Sequence, residues 1–128
     1  MIKLLLVCTA NICRSPMALT VTRELVAQRG LSRAIQVESA GTHAPSPAQP
    51  PDPRAIDALL RRGYKPKKSR SVRITSGHFA EFDLILAMDA VNLAELRRIC
   101  PAEYAYKLRL FLSYAPQSGR TDVPDPYY

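Results

Sequence analysis

The sequence predicts an α/β fold in which a parallel sheet is covered by helices on both faces. Two observations predict it: short apolar runs of strand length alternate with longer amphipathic segments, and the amphipathic segments begin and end at helix-capping residues. Strands that alternate with helices form βαβ units, whose strands run parallel. A chain of 128 residues can bury such a core without disulfides. We therefore expect a single three-layer domain over residues 1–128.

Three helices are expected. The first covers residues 16–29, with Ser15 as its N-cap and Gly30 as its stop. The second begins at Asp52-Pro53 and ends at residues 61–63, and the third begins at Asp89 and closes before residue 101. Apolar spacing of three and four residues gives each helix one inward face. The predicted inward residues are Ala18, Val21, Leu25, Val26, Ile56, Leu59, Leu60, Leu93, Leu96 and Ile99.

Four runs read as strands: residues 2–7, 35–39, 84–88 and, more weakly, 108–112. In a parallel sheet, ligands bind at the edge formed by the carboxyl ends of the strands. Cys8 follows the first run directly and is therefore expected at that edge. Residues 43–53, rich in proline and small residues, are expected to form an ordered surface loop.

The segment Cys8-Thr9-Ala10-Asn11-Ile12-Cys13-Arg14-Ser15 joins the first strand to the first helix. Because this turn is tight and ends at a helix N-terminus, several backbone N–H groups can converge on one point, which favours a dianion such as phosphate. The same environment stabilises the thiolate of a cysteine. With thirteen arginines in 128 residues, a Cys-x5-Arg spacing arises often by chance and is weak evidence for an anion site. The prediction therefore depends on the strand before the spacing and the capped helix after it.

These residue types suit phosphoryl transfer. Cys8 as a thiolate would attack phosphorus, and Arg14 would present its planar fork to two phosphoryl oxygens. Ser15 would hydrogen-bond the thiolate, cap the helix, or do both. The expected leaving-group acid is Asp125, held between two prolines, with Asp122 as the alternative; a plain polar turn residue is the other interpretation of Asp125.

The net charge of +7 suits acidic partners. Nucleic acid is not expected, because aromatic residues are sparse among the basic ones and the basic residues fall in scattered pairs, mostly at helix C-termini. These pairs are Arg61-Arg62, Lys67-Lys68 and Arg97-Arg98.

The three cysteines fit neither a secreted disulfide framework nor a zinc site, so we expect a cytoplasmic protein. The apolar run before Cys8 is too short for a signal peptide or a membrane span. No metal or cofactor is expected, and His43 and His78 are expected at the surface.

Four ordered blocks resemble the low-molecular-weight protein tyrosine phosphatases in their bacterial form. The blocks are residues 7–16, 38–42, 83–89 with Asn92-Leu93, and 122–128. The resemblance spans essentially the whole chain. It implies a four-stranded parallel sheet of order 2-1-3-4, and a phosphatase acting on phosphotyrosine in a protein, which includes a bacterial tyrosine kinase as a candidate partner. It also implies inhibition by phosphate-like oxyanions.

The resemblance further implies a role for each matching residue. Cys8 forms a phosphocysteine, Arg14 clamps the phosphate, and Asp125 acts as acid and then as base. Asn11, Ser15 and Ser39 match the polar network that shapes the loop. The substrate-binding residues are Thr9, Ala10, Asn11, Ile12, Cys13, Ser15, Tyr127 and Tyr128, although the two tyrosines could instead be exposed rings rather than walls of an aromatic slot.

The chain also departs from the family pattern. Ser69 stands where a histidine usually supports the polar network, and Pro45 stands where an aromatic residue often lines the slot. The family continues past the paired tyrosines into a closing helix. Without that helix, we expect an uncovered apolar sheet face, through which the protein could form a homo-oligomer.

Two other functions are considered. Arsenate reductases use a similar loop, but the related kind needs two further neighbouring cysteines, and here only Cys100 is available downstream. A phosphate or phosphoprotein sensor without catalysis is the second; the joint presence of Cys8, Arg14 and Asp125 argues against it, because binding needs neither thiolate nor acid. Cys13 is a candidate redox partner that would form a reversible disulfide with Cys8.

Overall fold

A computed structural model describes residues 1–120 and 122–124. Its four strands are β1 (Ile2–Cys8), β2 (Ile35–Gly41), β3 (Leu84–Ala87) and β4 (Leu108–Leu110). All neighbouring strands pair in parallel, and their order in the sheet is β2-β1-β3-β4. The predicted fold class and strand order are therefore confirmed. The last predicted strand is shorter than expected, because the chain turns into a 3₁₀ helix at residue 111.

Four α-helices connect the strands: α1 (Arg14–Gln28), α2 (Pro53–Arg61), α3 (Ser76–Glu81) and α4 (Ala90–Ile99). Three of them match the predicted helices within two residues at each end. Helix α3 was not predicted, because its six residues are too few to show a helical period. Three 3₁₀ helices were not predicted either; they lie at Ala102–Lys107, Phe111–Tyr114 and Pro116–Ser118.

Both faces of the sheet are packed. On one face, Leu5, Val7 and Ile85 pack with side chains from α3 and α4. On the other face, Leu6 and Leu86 pack with Leu19 of α1. Strand residues alternate between the two clusters because successive side chains of a strand point to opposite faces.

The sequence predicts a partly uncovered apolar face on the sheet. In the structure, this is the face against which α1 packs. Leu6, Leu86 and Met88 are buried there, whereas Leu4 and Leu84 are only partly buried. The incompletely covered area therefore lies toward the amino ends of β1 and β3. Self-association through it stays a prediction.

Three residues predicted to face inward are exposed instead: Leu25, Leu60 and Ile99. Leu60 follows the buried Leu59, and one residue turns a helix by about 100°, so both cannot face the core. Leu25 stands in the same relation to Val26, which packs against the α1-side core. Ile99 is the last residue of α4. In the described ranges 1–120 and 122–124, no helix combines the length and apolar content that a membrane crossing requires.

Candidate active site

The strand register brings the sequence motif to the carboxyl edge of the sheet. Cys8 is the last residue of the central strand β1 and pairs with Gly41 at the end of β2, while the neighbouring Val7 pairs with Ala87 at the end of β3. Residues 8–14, the cysteine loop, then lead directly into α1. The thiol therefore lies near an N-terminus whose first N–H groups have no partner within the helix.

The loop enters α1 two residues earlier than predicted. The N-cap is Cys13, and the Met17 N–H donates to the Cys13 carbonyl at 3.0 Å. The prediction that Ser15 is the N-cap is wrong: Ser15 is the second residue of the helix, fully buried, and its hydroxyl is 3.0 Å from the Cys8 sulfur. Pro16 still falls in the first turn, where its missing N–H costs no helical hydrogen bond.

Asn11 organises the loop. It adopts the left-handed conformation, with φ of 59°, which asparagine tolerates better than most residues. Its side-chain oxygen accepts from the Val72 N–H at 2.9 Å, so its amide nitrogen must face the other way. That nitrogen donates to Ser15 Oγ at 2.7 Å and to Ser39 Oγ at 2.9 Å. The three predicted support residues thus form one connected network.

This network also reaches the sulfur of Cys8. Because Ser15 Oγ already accepts from the Asn11 amide, its own O–H can donate to Cys8 Sγ. The Asn11 backbone N–H donates to the same sulfur at 3.2 Å. Cys8 is buried, with a solvent exposure of 3%. The buried sulfur therefore lies within hydrogen-bond distance of two groups that can donate to an attacking thiolate.

Gly41 allows β2 to approach the loop closely. A Cβ at this position would lie 2.6 Å from the Thr9 carbonyl oxygen and 3.0 Å from Asn11 N. The chain beyond Gly41 continues the contact, because Thr42 N donates to the Cys8 carbonyl at 3.0 Å and His43 N to the Thr9 carbonyl at 2.8 Å. The back of the cysteine loop is therefore attached to the β2 edge.

Arg14 is held by the neighbouring element. Its Nη1 is 2.5 Å from Asp89 Oδ2 and donates to the Val123 carbonyl at 3.2 Å. Asp89 follows β3 and is also the N-cap of α4, accepting from Asn92 N at 2.6 Å. The Arg14 side chain is 5% exposed, so this ion pair is largely removed from water. Arg14 is thereby fixed at the same sheet edge as Cys8.

The comparisons with known proteins agree with this geometry. The family model described as low molecular weight phosphotyrosine protein phosphatase matches residues 3–128. The chain belongs to this family. Among its relatives, the low molecular weight protein-tyrosine-phosphatase of Streptomyces coelicolor is 42% identical over 125 residues, covering 95% of this chain and 76% of the relative.

Two solved structures show the shared fold of this phosphatase family. The low molecular weight phosphotyrosine phosphatase of Vibrio cholerae O395 superposes with a TM-score of 0.92 at 46% identity, covering 99% of this chain and 80% of that one. YfkJ of Bacillus subtilis superposes with a TM-score of 0.94 at 37% identity, covering 100% of this chain and 80% of that one.

The remaining predicted substrate contacts are distributed as follows. Thr9 is exposed at the loop, Ala10 and Ile12 are half-buried, and Cys13 is buried. Asp125, Tyr127 and Tyr128 lie outside the described residues, so their predicted roles depend on the family resemblance.

The segment just before Asp125 lies at the site. Val123 N donates to the Met88 carbonyl at 2.7 Å, and the Val123 carbonyl accepts from Arg14. Asp122, the alternative acid, is exposed and accepts from the Ala90 N–H at 2.9 Å. Asp122 is therefore engaged at the start of α4, which makes it the less suitable of the two acids.

The two departures from the family pattern have different consequences. Ser69 is exposed, and within residues 1–120 and 122–124 no hydrogen bond connects it to Asn11; the Val72 N–H occupies the Asn11 oxygen instead. The loop network is thus complete without a side chain from position 69. Pro45 is half-buried.

Three residues that shape this phosphatase site fall in the blocks that resemble the family, but no role in the site was predicted for them: Gly41, Asp89 and Asn92. Asn92 is 1% exposed and donates to Thr9 Oγ1 at 3.0 Å, which links α4 to the loop. Asp89 was interpreted only as a helix start. Its position directly after the predicted strand 84–88 placed it at the same sheet edge as Cys8, and that was the available signal.

Proposed function

We propose that this chain hydrolyses phosphotyrosine in proteins through a phosphocysteine intermediate. The observation that carries the proposal is the buried Cys8 sulfur, which receives two hydrogen bonds at the start of α1, six residues before an arginine fixed at the same edge. This arrangement supports the proposal because it offers both a nucleophile and a binding site for an oxyanion.

In the first step, the Cys8 thiolate attacks phosphorus in line with the phenolic leaving oxygen. The S–P bond forms as the P–O bond to the aryl group breaks, and Asp125 gives its proton to that oxygen. Arg14 and the backbone N–H groups of the cysteine loop bind the three equatorial oxygens. The tyrosine side chain leaves as a neutral phenol.

In the second step, Asp125, now a carboxylate, takes a proton from a water molecule that attacks phosphorus. The S–P bond breaks, inorganic phosphate leaves, and Cys8 returns to the thiolate. The Ser15 O–H that donates to sulfur stabilises the thiolate at this stage, when it is the leaving group. Ser15 therefore assists departure of the sulfur as well as its attack.

The test is turnover of an aryl phosphate by the wild type and by Cys8→Ser, Arg14→Ala and Asp125→Asn. We expect near-total loss for the first two and a loss of ~10²–10⁴-fold in kcat for the third, the usual contribution of a general acid. The loss in Asp125→Asn should be smaller with p-nitrophenyl phosphate than with phosphotyrosine, because p-nitrophenolate leaves without needing a proton.

Cys100→Ser is the matched control for Cys8→Ser, because it removes a thiol at the other edge of the sheet. Full turnover by this control is expected. A wild type that binds inorganic phosphate but turns over no aryl phosphate would establish the sensor function instead. Inorganic phosphate should compete with substrate in the wild type, since both occupy the cysteine loop.

An arsenate reductase is the less favoured function, because Cys100 lies far from Cys8. Cys100 follows the last residue of α4, and α4 starts at the carboxyl edge of the sheet and runs ten residues away from it. At 1.5 Å per residue this is about 15 Å. The Cys100 thiol donates to the Pro101 carbonyl at 3.3 Å, and burial raises its pKa. Neither property suits a resolving thiolate.

The proposal includes a phosphotyrosine-bearing protein as the partner, with a bacterial tyrosine kinase as one candidate. A reducing cytoplasm is the proposed compartment, and it is supported by the number and spacing of the three cysteines, which do not match a secreted disulfide framework. Light scattering on the whole chain tests the predicted homo-oligomer; a monomer at high concentration would contradict it.

A further inference from the structure

The positive charge of this protein is concentrated in one part of the chain. Residues 53–73, the basic segment, contain eight of the eighteen Lys and Arg residues but only one of the eleven Asp and Glu residues. The rest of the chain has ten of each, so the excess of +7 comes entirely from the basic segment. Of the three basic pairs, Lys67-Lys68 does not lie at a helix C-terminus: α2 ends at Arg61, and this pair lies in irregular chain beyond it.

The basic segment begins and ends beside the cysteine loop. At its start, Asp52 N donates to the Ile12 carbonyl at 2.7 Å, and α2 leads away from that point. The chain reverses at Gly63, whose φ is 84°, and returns to the loop, where Val72 N donates to Asn11. A partner bound along this segment would therefore lie close to a substrate held in the cysteine loop.

The returning chain is fixed against the proline-rich loop before α2. Ser71 N donates to the Gln49 carbonyl at 2.6 Å, Gln49 N donates to Ser71 Oγ at 2.9 Å, and Arg70 Nη1 donates to the Ala48 carbonyl at 3.3 Å. Between these two stretches lies an open groove of about 580 Å³. Its lining, which we name the basic groove, includes Pro50, Pro51, Ile56, Lys67, Lys68 and Arg70.

The lysines of the basic groove are available to a partner. Lys67 and Lys68 are exposed, and within residues 1–120 and 122–124 neither forms an ion pair. Lys65 nearby is exposed as well. Cations that lie together without carboxylates repel one another, and an anionic partner removes that repulsion.

We propose that the basic groove binds an acidic segment of the phosphoprotein substrate, outside the phosphotyrosine itself. This inference rests on the proposed function for its substrate, and extends it to a second contact that selects among phosphoproteins. Charge complementarity identifies the occupant: the lysines and Arg70 pair with Asp and Glu side chains, while the prolines and Ile56 supply a rigid apolar floor for an extended chain.

Two other anionic partners fit less well. Single-stranded nucleic acid binds by stacking its bases on aromatic side chains, and among the residues that the structure describes no aromatic ring lines the basic groove. A membrane presents a broad flat surface, whereas these cations line a recess. The adjoining cysteine loop also favours a substrate, because a peptide chain that carries phosphotyrosine continues past the catalytic site.

The experiment compares two phosphotyrosine peptides that are identical except that one carries Asp and Glu and the other Asn and Gln at the distal positions. We expect the wild type to prefer the acidic peptide about tenfold in kcat/KM at low salt, a modest value for electrostatically steered association. Added salt should reduce the preference, because the Debye length falls from about 30 Å at 0.01 M to about 8 Å at 0.15 M.

The variant Lys67→Glu/Lys68→Glu should lose the preference while hydrolysing a small aryl phosphate at the wild-type rate. The matched control is Arg29→Glu/Arg33→Glu, which makes the same change in net charge at exposed positions after α1, at the opposite edge of the sheet. This control should keep most of the preference. Equal turnover of both peptides by the wild type, or equal loss in the variant and the control, would overturn the proposal.

A binding measurement separates this proposal from the proposed function. Fluorescence anisotropy with an unphosphorylated acidic peptide and the Cys8→Ser protein requires no catalysis, so it reports on the basic groove even if the wild type hydrolyses nothing. Anionic vesicles containing phosphatidylserine and a single-stranded RNA serve as competing probes. Tighter binding of either one, with the same dependence on Lys67 and Lys68, would overturn the assignment to an acidic polypeptide.

Discussion

Gly41 faces the backbone of the cysteine loop, with Thr9 O only 2.6 Å from the place where a Cβ would stand. In Gly41→Ala the loop must move, because the atoms in contact are backbone and cannot rotate away. A displacement of about 1 Å at a catalytic group can cost about 10²-fold in rate. We therefore expect kcat to fall by about that factor while the circular dichroism spectrum stays native.

The control for Gly41→Ala is Gly77→Ala in α3. A Cβ at Gly77 would approach nothing closer than Thr75 Oγ1, at 3.7 Å. This variant should keep full activity and gain about 0.5–1 kcal/mol of stability, because alanine is the better helix former. Wild-type activity in Gly41→Ala would show that the loop tolerates displacement.

Asp89→Asn tests whether Arg14 needs its carboxylate. Asparagine can still cap α4, so the helix start is retained. The Arg14 guanidinium would lose the Asp89 carboxylate in a largely buried place, and breaking a buried ion pair by removing one of its members costs up to about 3–5 kcal/mol. We expect a lower free energy of unfolding and, because the guanidinium is less well positioned, a kcat reduced by about tenfold or more.

Urea unfolding and steady-state kinetics measure the two effects of Asp89→Asn. An unchanged kcat would show that the cysteine loop alone positions Arg14. Asn92→Ala is a useful comparison, because it removes the contact with Thr9 but leaves the Arg14–Asp89 pair in place.

At the level of single residues, the sequence was sufficient to predict those site residues that lie close together along the chain. Cys8, Asn11, Arg14 and Ser15 fall within eight residues, and one turn of chain brings them together. Asp89 lies 75 residues from Arg14, and nothing in its own neighbourhood indicates an arginine partner. The close approach of Gly41 to Thr9 likewise appears only when β2 is placed beside β1.

Among the elements, α3 depends on an unusual contact. Lys107 is 6% exposed, and its Nζ donates to the Phe79 carbonyl at 2.8 Å and to the Ala80 carbonyl at 3.3 Å, near the C-terminus of α3. The same ammonium lies 4.4 Å from the centre of the Tyr104 ring. A cation at this position complements the helix dipole and satisfies carbonyls that have no helical partner.

Lys107→Met should therefore destabilise the protein by about 1–3 kcal/mol, the cost of buried acceptors that lose their donor. Aryl phosphatase activity should stay at the wild-type level, because Phe79 of α3 packs in the core cluster on one face of the sheet and Cys8 packs in the cluster on the other. Lys65→Met, at an exposed position, is the control and should change stability by less than about 0.5 kcal/mol. Equal unfolding midpoints in urea for the two variants would contradict this role of Lys107.

Helices α2 and α4 were predictable and α3 was not, for a physical reason. α2 and α4 each begin with an aspartate whose side chain accepts a backbone N–H, at Asp52 and Asp89. The six residues of α3 are also too few to form an apolar face comparable with those of α2 and α4. The helix is held in place by Phe79, which is fully buried, and by Lys107 from a distant part of the chain.

At the scale of the whole molecule, binding at the cysteine loop is coupled to folding. A ligand that binds only the folded state adds about 2.7 kcal/mol to its stability at 100 times the dissociation constant. Phosphate should raise the melting temperature of the wild type, because the α1 N-terminus and Arg14 form its binding site only when β1, β2 and β3 are assembled. The order of the strands in the sheet was predictable from the family resemblance. The coupling between phosphate binding and folding follows from that order.

The size of the phosphate effect should depend on the partner of Arg14. In Asp89→Asn, phosphate supplies the negative charge that the variant has lost, so the gain in melting temperature should exceed that of the wild type. In Arg14→Ala, the gain should nearly vanish. Differential scanning fluorimetry with sodium phosphate, against sodium chloride at matched ionic strength, measures all three proteins. A gain in Arg14→Ala equal to that of the wild type would mean that phosphate stabilises the fold elsewhere, with the basic segment as the next place to examine.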